Sequence, residues 1–136
     1  MHSTNYFNAF ISVAEDCPAD TGIVPPLRGG KPSVAGIHLQ LILDHPYHYT
    51  SDDLIFGTYA DRKEIPASER AEAREAFFSK GQACFRASAM GKRYGWGLHF
   101  NAEGKVAAYP IESDEYQQFE KDAQLEQRKA MRSKRK

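Results

Sequence analysis

The stretch Tyr94-Gly95-Trp96-Gly97-Leu98-His99-Phe100 constrains this chain more than any other. Its large apolar residues recur at every second position. Tyr94, Trp96, Leu98 and Phe100 therefore fall on one face of a strand, and Gly95, Gly97 and His99 on the other. The next four residues, Asn101-Ala102-Glu103-Gly104, read as a hairpin turn in which glycine takes the positive φ that a branched residue resists. Lys105 to Ile111 returns as the partner strand.

The first half of the chain has a different rhythm. Residues Tyr6 to Ala14 alternate imperfectly, which predicts an opening strand with Phe7, Ala9, Ile11 and Val13 on a buried face. Glu15 to Pro32 is rich in proline and glycine and reads as a long irregular connection, either packed on the surface or built for a ligand. Ser33 caps a helix to about Asp44 with Val34, Ile37, Leu41 and Ile42 as its apolar stripe and His38 beside it. Thr50 with Asp53 forms a capping box for a second helix, to about Arg62, that buries Leu54, Ile55 and Tyr59. Pro66 opens a third helix and Gly81 closes it. Ser113 caps a last one that carries Tyr116 and Phe119 on one side.

These elements predict an α+β fold: a small, mostly antiparallel sheet with a hairpin in its C-terminal half, packed against three to four helices. At 136 residues, 41% of them hydrophobic, the chain has the size of one domain and can bury a core without disulfides. We expect residues 1–127 to form that domain and residues 128–136 to form a basic tail, ordered in part. The tail reads as a frayed helix extension, a short edge strand using Ala130 and Met131, or a mobile arm.

Charge and cysteine content restrict the function. The chain carries 18 basic and 18 acidic residues, but six of the basic ones follow Gln127, so the rest has a net charge of −6. An acidic body argues against broad coating of nucleic acid and leaves only the tail to touch phosphate. Cys17 and Cys84 are too few and too far apart for a disulfide framework, and no apolar run approaches the roughly 20 residues that span a bilayer. A cytoplasmic protein without a membrane segment is expected. His38, His45 and His48 match no compact zinc spacing and Pro46 interrupts them, so no metal site is read. No cofactor motif is read either, since the glycine pattern of a phosphate-binding loop is missing.

The segment from Ser79 to Arg93 draws the functional expectation. It sets Lys80, Arg86, Lys92 and Arg93 among small residues and hydroxyls, a composition able to surround an anion. If it folds over the Gly95 and Gly97 face, the missing side chains leave room for a flat ligand, and Arg86, Lys92, Arg93 and His99 become the binding residues. The same glycines also fit a close helix crossing, with Trp96 in the core and the cations in water. An enzyme using Cys84 or His99 is a second reading and requires a polarising partner in contact with one of them. A third is a protein or nucleic-acid interaction module built on the tail and on exposed aromatics such as Tyr47 and Tyr49.

Five blocks of the sequence resemble a small uncharacterised bacterial protein family, a domain of unknown function of about this length. They are Asn8 to Pro18, Pro46 to Asp53, Phe77 to Ser88, Lys92 to His99, and Lys129 to Arg135. The resemblance implies that the tail belongs to the natural protein, and it brings no catalyst, cofactor or partner with it. The expectation is therefore a small binding protein for an anionic or nucleotide-like ligand, of undetermined oligomeric state.

Overall fold

The computed structural model describes residues 1–133. Four strands form one sheet: β1 (Ala9–Ser12), β2 (Trp96–Phe100), β3 (Val106–Pro110) and β4 (Glu126–Lys129), in the order β3-β2-β1-β4. The β2–β3 hairpin is antiparallel with Phe100 opposite Val106, and β1 is antiparallel to β2 with Ile11 opposite Leu98. Only β4 runs parallel, beside β1. The described residues also hold helices α1 (Val34–Asp44), α2 (Ser51–Arg62), α3 (Arg70–Phe77), α4 (Ala89–Lys92) and α5 (Asp114–Glu120). The fold is α+β, with a mostly antiparallel sheet between helical layers.

Local signals in the sequence account for most element starts. Ser33 Oγ accepts the Gly36 amide at the head of α1, and Ser113 Oγ accepts that of Tyr116 at the head of α5. At α2 the capping box is complete: Thr50 Oγ1 accepts the Asp53 amide while the Asp53 carboxylate accepts that of Thr50. Gly104, at φ 78°, closes the hairpin turn, and Asn101 Oδ1 holds it by accepting the amides of Glu103 and Lys105. The third helix differs in its limits. Pro66 precedes a 3₁₀ turn (Ala67–Glu69), and α3 ends at Phe77, short of Gly81.

Both faces of the sheet are covered. On one, Ala9, Ile11, Leu98, Phe100 and Val106 pack against Leu39, Ile42, Leu54, Phe85 and Met90. Each such large side chain contributes roughly 1.5–3 kcal/mol through burial. On the other, α5 brings Tyr116 and Phe119 onto Phe10, with ring centroids 5.1 and 5.7 Å apart. β1 is therefore buried along its whole length, whereas Phe7, expected on its buried face, lies before the strand and is 54% exposed. A smaller cluster of Phe56, Ala60 and Phe78 joins α2 to α3. The N-terminus is tied down by Asp52, fully buried, which accepts bonds from Ser3 Oγ and from the amide and hydroxyl of Thr4.

In α1 the buried face is turned from its expected position. Ala35, His38, Leu39 and Ile42 point inward, while Val34 is exposed and Ile37 and Leu41 are only half-buried. Apolar residues occur almost all round this helix, so the sequence period did not determine its phase.

Candidate functional site

The four expected ligand residues stand in three places. Lys92 ends α4 and Arg93 follows it, and both line an open cleft. Arg86 lies in a 3₁₀ turn (Phe85–Ala87) and faces β4, where its Nε donates to the Lys129 carbonyl at 2.7 Å and its own carbonyl accepts the Met131 amide. His99 points through the other face of the sheet. It stacks on Phe119 at 4.1 Å between centroids and bonds to Tyr47 Oη at 2.7 Å.

The side-chain-free slot over Gly95 and Gly97 is also filled. A Cβ on Gly97 would stand 2.6 Å from both Phe10 Cζ and Tyr116 Cε2. One on Gly95, which adopts φ 79°, would strike the Thr21 carbonyl. α5 seals the first glycine and the crossing chain near Thr21 the second, so both serve close packing. Trp96 is held over the same crossing by its Nε1, which donates to the Ile23 carbonyl.

The cleft that Lys92 and Arg93 do line has a volume of about 570 Å³, within the usual range for small-molecule sites. Its walls are the head of α1, Ile55 of α2, the segment from Ala83 to Tyr94, and Arg28. Arg28 arrives on a two-residue hairpin. Arg28 and Lys31 exchange both backbone hydrogen bonds, at 2.8 and 3.1 Å, across Gly29 and Gly30, whose φ values of 57° and 78° suit a tight turn of this hand. The long connection is thus partly ordered. Arg28 went unnoticed in the sequence although an Arg-Gly-Gly-Lys run is itself a hairpin signal.

The walls of this cleft carry positive charge and no carboxylate. No Asp or Glu occurs between residues 21 and 43 or between 76 and 102, and these two stretches supply every lining residue except Ile55. Arg28, Lys92 and Arg93 therefore meet no carboxylate on its walls, and none forms an ion pair among the described residues. The positive end of the α1 dipole adds to their field.

His38 stands in the wall one turn into α1, only 6% exposed, with its ring edge-on to Phe85. Burial pushes its pKa down to about 4, against a weaker opposing effect of the Leu54 backbone, so the ring is neutral near pH 7. Its Nε2 has no hydrogen-bond partner. A second lobe of about 500 Å³ continues from this wall between α1 and α2, sharing Val34, His38 and Ile55 with the first.

Cys84 is half-buried in the cleft wall, its Sγ 3.3 Å from Tyr6 Oη. Burial, and then the contact with Cys84, raise the Tyr6 pKa to about 12, which keeps that hydroxyl protonated and unfit as a base. Burial lowers the pKa of His99, with Asp122 opposing. Its ring is enclosed by Phe119 and Tyr47 and lines neither lobe. Among the described residues no three His, Cys, Asp or Glu side chains gather as a metal site needs, and no helix is long and apolar enough to cross a membrane.

The basic end of the chain joins the fold. β4 covers Glu126–Lys129, and Ala130, 3% exposed, donates its amide to the Ser12 carbonyl. Arg128 pairs with Glu126, while Lys129 and Arg132 both reach Glu15. Residues 134–136 of the expected tail lie outside the described residues.

A family model described as a family of unknown function, DUF6157, matches residues 1–136, and the chain belongs to that family. Comparison with curated proteins and with solved structures found no significant match.

Proposed function

We propose that this member of the family is a binding protein for an anionic small molecule, held in the cleft between the head of α1 and the segment from Ala83 to Tyr94. One observation carries the reading: Arg28, Lys92 and Arg93 converge on a concave, carboxylate-free wall in a body that is otherwise net acidic. Guanidinium and ammonium groups without counterions hold a negative ligand by charge-assisted hydrogen bonds, strengthened by the low-dielectric walls. Of the four residues expected from the sequence, Lys92 and Arg93 keep a ligand role here, while Arg86 and His99 serve the β4 contact and the α5 layer.

Inorganic pyrophosphate is a direct probe. Calorimetric titration at low salt should give saturable binding that weakens as salt rises. Lys92→Glu together with Arg93→Glu should weaken it by roughly tenfold or more, the scale of two charge-assisted bonds. Both side chains are outside the core, so the melting temperature should stay the same. Failure of pyrophosphate to bind, or binding indifferent to the double variant, overturns the assignment.

A further inference from the structure

The second lobe carries an unexplained feature. Three buried side-chain polar atoms lack a hydrogen-bond partner among the described residues, and two of them, His38 Nε2 and Thr58 Oγ1, belong to residues that line this lobe. His38 is 6% and Thr58 5% exposed. Buried polar groups are nearly always paired, and a helical threonine ordinarily turns its hydroxyl to a carbonyl one turn back. Thr58 makes no such bond.

The remaining wall joins two cations, Arg62 and Lys63, at the end of α2 to an aromatic pair that suits a flat ring. Tyr59 and Phe77 lie 4.6 Å apart between centroids, and Tyr59 keeps 38% of its surface exposed. Gln82 donates its amide nitrogen to the Phe77 carbonyl, which leaves its Oε1 open as an acceptor. An aliphatic chain in this lobe would use none of its polar groups, Gln82 Oε1 and the Thr58 hydroxyl among them. A heteroaromatic ring offers both a stacking face and an edge of donors and acceptors. Both unpaired atoms are closed to solvent in this structure, and a change of χ1 at Thr58 is the movement by which a ligand would gain its hydroxyl.

We infer that the second lobe takes the base of a nucleotide whose phosphate lies in the first, among Arg28, Lys92 and Arg93. This rests on the anion-binding reading of the first lobe and adds the class of ligand to it. His38, on the shared wall, stands where the two parts of the ligand join.

Adenosine monophosphate and ribose 5-phosphate differ only by the base and separate the two ideas. Titrated into the full-length protein, the nucleotide should bind roughly tenfold or more tightly than the sugar phosphate, the scale of one stacked and hydrogen-bonded base. Thr58→Val should shrink that advantage several-fold, leave ribose 5-phosphate affinity unchanged, and keep or raise the melting temperature, since it removes an unpaired hydroxyl. Equal binding of the two probes, both weakened by Lys92→Glu, overturns the base site while the anion site stands. An advantage that survives both Thr58→Val and Phe77→Ala places the base elsewhere and also overturns it. If neither probe binds at millimolar concentration while pyrophosphate does, the nucleotide reading falls and the anion site stands; if pyrophosphate also fails, both fall.

Discussion

Replacing Gly97 by alanine measures whether the second face of the sheet is closed. The new Cβ would lie 2.6 Å from Phe10 Cζ and 2.6 and 2.7 Å from two carbons of the Tyr116 ring. Carbon atoms settle at about 3.5–4.0 Å, so the methyl would be roughly 1 Å too close to two rings at once. Neither ring has room to retreat. Phe10 has no exposed surface, and Tyr116, 3% exposed, is fixed by its hydroxyl, which accepts the Val13 amide at 2.9 Å. Overpacking of this kind costs about 1–3 kcal/mol, and the reduced freedom of the unfolded chain returns about 0.4–1 kcal/mol. The expected net loss is therefore about 1–2 kcal/mol, a fall in melting temperature of roughly 3–10 °C for a domain of this size. Urea unfolding should record it as a lower midpoint with the slope unchanged. Gly57 is the control, since a Cβ there meets no atom within 4 Å and its position in α2 favours alanine; Gly57→Ala should stabilise by about 0.5–1 kcal/mol. If Gly97→Ala is as stable as the parent while Gly57→Ala behaves as expected, the face is open, and a ligand site beside His99 returns to consideration.

Two other measurements test the remaining structure. Ending the chain before Arg128 removes the bonds from Ser12 Oγ to the Arg128 carbonyl, from Arg86 to Lys129, from Ala130 to Ser12 and from Met131 to Arg86; at about 0.5–1.5 kcal/mol each, thermal unfolding should show a loss of roughly 2–6 kcal/mol, and an unchanged melting temperature would refute the docked tail. The His38 ring titrates near 6.5 when unfolded and about 4 when folded, so its share of stability is whole above pH 6.5 and falls as acid protonates the unfolded chain first, by up to about 3 kcal/mol at pH 4. His38→Leu should flatten that part of the profile, and parallel curves for the two proteins between pH 6.5 and 4 would show that the ring is not buried as a neutral group.

The parts of the fold that sequence disclosed were those specified by neighbours in the chain. Ser33, Thr50 with Asp53, Ser113 and the hairpin around Gly104 act within a few residues, and each was found where its local chemistry put it. What stayed hidden depends on distant partners. Gly97 in the sequence is an absence of side chain. Only Phe10 and Tyr116, brought from 87 and 19 positions away, decide whether it makes a hollow or a contact. Arg86 looked equivalent to Lys92 and Arg93 because all are cations in one segment, yet the 3₁₀ turn aims it at β4. Glu126–Lys129 carries no alternating pattern because all four residues are exposed, so an edge strand formed by backbone pairing alone left no hydrophobic trace.

The distribution of ion pairs bears on why the cleft cations are there at all. Six other described cations meet carboxylates: Arg70 with Asp61, Arg74 with Asp53, Lys105 with Glu103, Arg128 with Glu126, and Lys129 and Arg132 with Glu15; others, such as Arg62 and Lys63, stand outside these pairs. Exposed pairs of this kind add little stability, so their value lies in lowering local repulsion, and nothing in the folding of the cleft forbids an acidic residue on its walls. Arg28, Lys92 and Arg93 nevertheless come from two long acid-free stretches and are brought to one cleft by the Arg28–Lys31 hairpin and the end of α4, beside the head of α1. Three positive groups and a helix N-terminus held together without a counterion repel one another, an arrangement that binding an anion relieves and that solubility alone does not require. The same repulsion is screened by salt, and ligand affinity in the cleft should fall with ionic strength more steeply than folding stability does.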